Sequence, residues 1–113
     1  METNTTAKRP AAWSADEDRA IVRDYLEQMA ALGRAEKVNK TNTRRALLAH
    51  LNGRSESSVE FKRCNVSAVL ADLGRGYWPG YRPASNYQRS LVDVVRAELA
   101  AREAAPALAT AAR

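Results

Sequence analysis

The chain has 113 residues, a formal net charge of +5, one cysteine and one histidine. This length suffices for one domain with a single modest core, and the lone cysteine excludes an internal disulfide. The histidine and cysteine leave no plausible metal cluster, so we expect neither a metal nor another cofactor. The N-terminus has no apolar run behind its basic residues, so we expect a cytoplasmic protein with no signal peptide and no membrane anchor.

Positive charge is concentrated in the middle of the chain. Residues 37–90 carry ten basic and three acidic side chains, whereas residues 1–36 carry five and seven. This asymmetry favours an anionic partner, which the central part of the chain would contact.

The chain begins with a polar arm over residues 1–12, which has nothing to bury and is predicted to be disordered. Residues 13–103 are predicted to form a single helical domain. Ser14, followed three residues later by Glu17, predicts a capping box at the start of a first helix. Gly33 is predicted to end that helix.

Two further helices are predicted on either side of a tight turn. The second helix covers residues 42–51, and either Asn39 or Thr41 can cap it. Gly53 can adopt the left-handed conformation of the turn, and Ser55 can cap the third helix. A helix, a glycine-containing turn and a second helix form the helix-turn-helix pattern.

The third helix, which Gly74 is predicted to end, has apolar residues on two sides. One side is formed by Val59, Val66 and Leu70, and the opposite side by Phe61, Cys64 and Ala68. Lys62 and Arg63 fall inside the first repeat. The aromatic loop that follows, with Tyr77, Trp78 and Tyr81, is expected to cover the second side together with the fourth helix. Alternatively, Phe61 and Trp78 stay exposed as a patch for a protein partner.

A fourth helix is predicted to start at a Ser85 cap and to bury Leu91, Val95 and Leu99. Residues 104–113 are Ala-rich, include Pro106 and are predicted to form a disordered tail. No segment has a convincing strand pattern, so the predicted fold is an all-α domain of four helices.

Two groups of residues resemble a known fold. Trp13-Ser14 and Asp16-Glu17-Asp18 stand at the head of the first helix, and Gly53-Arg54-Ser55 stands in the turn before the third. This pattern resembles the Myb/SANT fold, a three-helix domain with a helix-turn-helix. The resemblance implies a third helix that enters the DNA major groove or contacts proteins, with the predicted fourth helix as a C-terminal addition. One departure is that the second helix lacks the aromatic residue usual in that family.

A second resemblance covers nearly all of residues 13–99. Its motifs include Leu51-Asn52-Gly53-Arg54-Ser55, Ser58-Val59-Glu60-Phe61-Lys62, Gly80-Tyr81-Arg82-Pro83 and Ser85-Asn86-Tyr87-Gln88. Together they resemble a small bacterial helical module that precedes nuclease-like or restriction-like domains. The resemblance implies work on DNA and an association with restriction or defence. We expect a stand-alone copy or an excised domain, because no nuclease domain follows.

No motif for catalysis is found, so we predict that the protein is not an enzyme. Gly74-Arg75-Gly76 lacks the strand and the helix start of a phosphate-binding loop, and Cys64 has no histidine near it in sequence.

The basic middle of the chain predicts a phosphate-binding surface. Its residues are Arg44, Arg45, Arg54, Lys62, Arg63, Arg75 and Arg82, with Ser55 and Ser57 as hydroxyl donors at a helix start. Arg89 is a further candidate. Glu56 and Glu60 oppose base reading, since carboxylates on the first turns of the third helix repel phosphate.

We therefore predict a non-catalytic DNA-binding module with weak or no base specificity, associated with the nucleoid. The alternative is an adaptor that recruits a nuclease or another protein through exposed aromatic residues. The oligomeric state stays open.

Overall fold

The computed structural model describes the backbone of residues 12–111 and the side chains of residues 12–103. Its four helices are α1 (Ala15–Gly33), α2 (Lys40–Leu48), α3 (Glu56–Asp72) and α4 (Arg89–Ala111). No strand occurs in this part of the chain, and the predicted all-α class with four helices is confirmed. Most of the predicted N-terminal arm lies outside the described residues, as do residues 112 and 113.

The starts of α1 and α3 follow from local sequence. Ser14 Oγ accepts a hydrogen bond from the Glu17 backbone N–H at 3.1 Å, and Glu17 Oε1 accepts one from the Ser14 N–H at 3.1 Å. This is the predicted capping box, and it satisfies N–H groups that a helix start leaves without partners. At α3, Ser55 Oγ accepts from the Ser58 N–H at 3.1 Å, after a turn in which Gly53 has a φ of +64°.

The second helix starts earlier and ends earlier than predicted. Asn39 is its cap, because its side-chain oxygen accepts from the Asn42 N–H at 2.9 Å. The helix ends at Leu48 rather than at residue 51. The residues that follow form the turn leading to α3.

The predicted Ser85 cap of the fourth helix is wrong, because α4 begins at Arg89. The Ala84 N–H donates to the Cys64 carbonyl at 3.0 Å, and the Ala84 carbonyl accepts from Asn65 Nδ2 at 2.8 Å. Both backbone polar groups of Ala84 are thus bound to α3, which holds this part of the chain outside a helix.

The fourth helix also continues to Ala111, past residue 103, where the sequence predicts a disordered tail. Alanine, which dominates this stretch, is the strongest helix former, and the helix continues through Pro106. The helix therefore replaces the predicted tail up to Ala111.

The aromatic loop, residues 75–88, packs onto α1 and α3. The Trp78 N–H donates to the Tyr25 hydroxyl at 2.8 Å, and that hydroxyl lies 2.6 Å from Ser67 Oγ. The Trp78 and Tyr81 rings meet edge to face, with centroids 4.8 Å apart. Both side chains are buried, so this part of the predicted cover is confirmed.

Phe61 differs from Trp78 and Tyr81, since 49% of its surface is exposed, and Tyr77 is also exposed, at 37%. The prediction that the loop covers Phe61 is therefore wrong, and so is the alternative prediction that Trp78 is exposed. The loop reaches α3 at Cys64 and Asn65, one helical turn after Phe61, and so leaves the Phe61 ring half uncovered.

Candidate nucleic-acid interface

Two of the cations predicted to bind phosphate are part of the core. Lys62 Nζ lies 3.2 Å from Asp18 Oδ1, and both side chains are almost fully buried. Arg63 is 0% exposed, and its guanidinium donates to Asp24 at 2.5 Å and to the Tyr81 hydroxyl at 2.7 Å. The assignment of Lys62 and Arg63 to a phosphate-binding surface is therefore corrected. Both side chains join α3 to the acidic face of α1, because burial of a cation requires a charged partner.

Arg54 is held at the N-terminus of α1. Its Nε lies 3.0 Å from Glu17 Oε2 and its Nη2 lies 2.8 Å from Glu17 Oε1, while the guanidinium stacks 4.2 Å from the Trp13 ring centroid. The Asn52 N–H also donates to Glu17 at 2.9 Å. The hydrogen bond from Arg54 lowers the pKa of Glu17 to about 2, with Asn52 and Ser14 adding to the effect against burial. This bidentate pair fastens the turn before α3 to α1.

Two arginines and two glutamates neutralise each other between α2 and α3. Arg44 donates to Glu56 at 2.9 Å and to Glu60 at 2.8 Å, and Arg45 Nε lies 3.6 Å from Glu56 Oε2. The hydrogen bond from Arg44 lowers the pKa of the Glu56 carboxyl. Arg44 is 13% exposed, whereas Arg45 keeps 66% of its side chain in solvent. Consequently, the edge where a basic surface was predicted has no net charge, and the two glutamates are paired.

The remaining predicted residues are at the surface. Arg75 forms an ion pair with Glu103, which raises the pKa of the Arg75 guanidinium. Ser55 is engaged as a helix cap, and its hydroxyl lies 3.2 Å from that of the exposed Ser57. Arg82 is exposed and has no carboxylate within 4 Å among the described side chains. The predicted residues that remain accessible outside a close ion pair of the described side chains are Arg45, Ser57, Arg82 and the further candidate Arg89.

Unpaired charge between residues 12 and 103 is mostly positive. This segment holds fifteen Lys and Arg and twelve Asp and Glu residues. The ion pairs formed within it leave five cations without a carboxylate in reach: Lys37, Lys40, Arg82, Arg89 and Arg96. On the same criterion, the acidic residues that it leaves without a cation are Asp72 and Asp93. Asp72 instead accepts a hydrogen bond from Tyr87 at 2.6 Å.

Our sequence-based prediction missed Lys37, Lys40 and Arg96. The sequence does contain a signal for Lys37 and Lys40, which is a lack of nearby acidic residues. Residues 37–55 contain no Asp or Glu, and neither do residues 73–92. Cations in such stretches can be neutralised only by carboxylates from elsewhere in the fold, and four of the five unpaired cations come from these two stretches.

Lys40, at the start of α2, contacts the aromatic loop two residues before Arg82. Lys40 Nζ donates to the Gly80 carbonyl at 3.0 Å and lies 4.4 Å from the Tyr81 ring centroid. Burial raises the pKa of the Cys64 thiol on α3, Glu60 adds to that rise and Lys40 opposes it. We call Lys40, Phe61 and Arg82 the loop-side surface.

In the part of the chain that the structure describes, no three His, Cys, Asp or Glu side chains are grouped so that they could hold a metal ion. Within the same residues, no helix combines the length and the apolar composition that crossing a bilayer requires. No protein-family model, no curated protein and no solved structure matches the chain.

Proposed function

We propose that this protein binds DNA without catalysis and with little base specificity, through contacts between its unpaired cations and phosphate groups. The observation that carries the proposal is the charge imbalance at the surface, where five cations of residues 12–103 have no carboxylate partner among the described side chains. Cations of this kind displace the counterions that surround DNA, and that release supplies most of the free energy of non-specific binding.

The loop-side surface is the proposed centre of the contact. Lys40 and Arg82 supply the positive charge, and Arg45 on α2, which is 66% exposed although it lies 3.6 Å from Glu56, adds a second accessible guanidinium. Ser57 and Phe61 lie on the outer face of the first two turns of α3. In a Myb/SANT-like arrangement of α1, α2 and α3, this face would approach the duplex.

Weak base specificity follows from the composition of that face. The Phe61 ring can contact a thymine methyl group, and the Ser57 hydroxyl can hydrogen-bond to any base. Neither side chain can make the bidentate contacts by which arginine reads guanine or asparagine reads adenine. The ion pairs of Glu56 with Arg44 and Arg45 reduce the repulsion between this end of α3 and phosphate.

The test is the salt dependence of the affinity for a duplex of random sequence. In the double variant Lys40→Gln/Arg82→Gln, the log–log slope should become less steep by about 0.9 for each lost phosphate contact. Arg19→Gln is the matched control, because it removes a surface charge that is already paired with Asp16. A double variant with the same slope as the Arg19→Gln control would contradict the proposal.

A second candidate function, that of an adaptor for another protein, is favoured by the exposure of Phe61. An aromatic residue that is 49% exposed, in a protein with unpaired cations, suits a partner surface with both apolar and acidic groups. Such a partner includes the nuclease that the sequence resemblance implies.

Titration with a duplex, followed by NMR, separates the two functions. DNA binding predicts that the Phe61 ring resonances shift together with the signals of Lys40 and Arg82. The adaptor function predicts no shift at micromolar protein and low salt.

A further inference from the structure

A cleft of about 470 Å³ lies against the first two turns of α4. It is lined by Tyr87, Arg89, Val92, Asp93 and Arg96. A second cavity of about 370 Å³ shares Arg96 with it and continues along α4 between Leu73 and Leu99. Neither cavity includes a residue of the loop-side surface.

The charged groups of this cleft are not paired with one another. Arg89 and Arg96 are seven residues apart, so they lie on the same face of α4 at a separation of about 10.5 Å along its axis. Asp93 lies between them at spacings where ion pairs commonly form on a helix. Nevertheless, among the side chains described, Asp93 has no Lys or Arg within 4 Å, and the two arginines have no carboxylate within that distance. The cleft therefore presents two cations and one acceptor to a ligand.

The uncharged walls of the cleft suit a flat ring. The Tyr87 hydroxyl donates to Asp72 at 2.6 Å, which restrains the orientation of the aromatic ring. Val92 adds an apolar surface between the two arginines. A nucleobase can stack on the tyrosine ring while guanidinium groups bind the adjoining phosphates.

We propose that this cleft binds a nucleotide of a single DNA strand and prefers a base with an exocyclic amino group. The preference comes from Asp93, which can accept from the cytosine N4 amino group but would face the O4 acceptor of thymine. A base within a duplex is stacked and paired, so a cleft at the side of a helix suits a strand whose bases are free. This inference rests on the proposed affinity for DNA, but the residues of the cleft are separate from the loop-side surface.

The test compares binding of fluorescent oligo(dC) and oligo(dT) single strands by anisotropy at fixed salt. The wild-type protein should bind oligo(dC) more tightly. Arg96→Gln and Arg89→Gln should each weaken binding by about tenfold, because each removes a charge-assisted hydrogen bond to phosphate. Tyr87→Leu should weaken it by about tenfold through the loss of stacking. Asp93→Ala should abolish the difference between the two oligonucleotides.

Arg19→Gln is again the matched control, since it removes one positive charge outside the cleft and should change affinity by less than about twofold. Thermal melting of each variant verifies that the helices remain folded. The proposal is overturned if Arg96→Gln has no larger effect than Arg19→Gln. It is also overturned if oligo(dC) and oligo(dT) bind the wild-type protein equally well, or if a poly-glutamate peptide binds the cleft as tightly as oligo(dC) does.

The failure of this inference can be distinguished from failure of the proposed function. Duplex binding depends on Lys40 and Arg82, so Lys40→Gln/Arg82→Gln should weaken duplex binding more than Arg96→Gln does. If duplex binding depends on Lys40 and Arg82 while the cleft variants leave single-strand binding unchanged, only the cleft proposal falls. If single strands bind through the cleft and duplexes do not bind, only the proposed loop-side contact falls.

Discussion

The cations on the two sides of α3 differ in whether they are paired with carboxylates. On the side facing α1, Lys62 and Arg63 are buried and each is paired with a carboxylate of α1. On the side facing the aromatic loop, Lys40 and Arg82 have no carboxylate within 4 Å among the described side chains. For Lys40 the opposing element makes the difference, because α1 is rich in Asp and Glu whereas residues 73–92, which Lys40 contacts at Gly80, contain neither. Whether a basic residue is available to a ligand therefore depends on the element that packs against it.

Arg63→Met should produce the largest effect, since it removes one partner from a buried ion pair. The free energy of unfolding should fall by about 3–5 kcal/mol, because Asp24 and the Tyr81 hydroxyl lose their shared donor. Urea denaturation measures the change. On the other side of α3, Arg82→Met should stay within about 0.5 kcal/mol of the wild type. Equal losses in the two variants would mean that the two sides of α3 do not differ in this way.

Glu17→Gln tests the ion pair between Glu17 of α1 and Arg54 through the pH dependence of stability. The folded pKa of Glu17 is about 2, below its ordinary value of 4.5. A lowered folded pKa stabilises the protein above pH 4.5, and this contribution is lost as the pH falls from about 4.5 to about 2. The contribution of Glu17 to the free energy of unfolding amounts to about 3 kcal/mol. In urea denaturation the stability difference between wild type and Glu17→Gln should shrink over that pH range. A difference that stays constant with pH would refute the assignment.

Lys40→Gln tests how much the contact between Lys40 and the aromatic loop contributes to stability. It removes the hydrogen bond to the Gly80 carbonyl and the contact with the Tyr81 ring, so unfolding should become easier by about 1 kcal/mol. Lys37→Gln removes the same charge three residues earlier and should have little effect on stability. If thermal melting shows equal effects, the Lys40 contact with the loop is not stabilising.

Phe61→Ser should have the smallest effect on stability, within about 0.5 kcal/mol, because half of the ring is already in solvent. Trp78→Ala, a change of a buried ring in the same region, should cost about 3–5 kcal/mol. A large loss for Phe61→Ser in a denaturation experiment would show that the ring belongs to the core.

Features that depend on residues close in sequence could be predicted. The Ser14 and Glu17 capping box and the Ser55 cap involve residues three apart, so the helix starts follow from local spacing. The start of α4 could not be predicted in this way, because contacts between Ala84 and α3 delay it.

The candidate site was only partly predictable for the same reason. The position of Lys62 and Arg63 within the apolar repeat of α3 already indicated burial. Their partners, Asp18 and Asp24, lie about forty residues earlier in the chain, and no local pattern identifies those partners. The unpaired state of Arg96 beside Asp93 likewise depends on the side-chain conformations in the fold.

The placement of the two tryptophans provides an optical probe for each side of the molecule. Trp13 stacks on the Arg54 guanidinium at the α1 side, while Trp78 is 4% exposed beneath the aromatic loop. A Trp13→Phe protein would retain a single indole emitter, whose wavelength shifts when water reaches it. Fluorescence from that protein would therefore show whether the loop detaches before the helices melt, while circular dichroism follows the helices in the same sample.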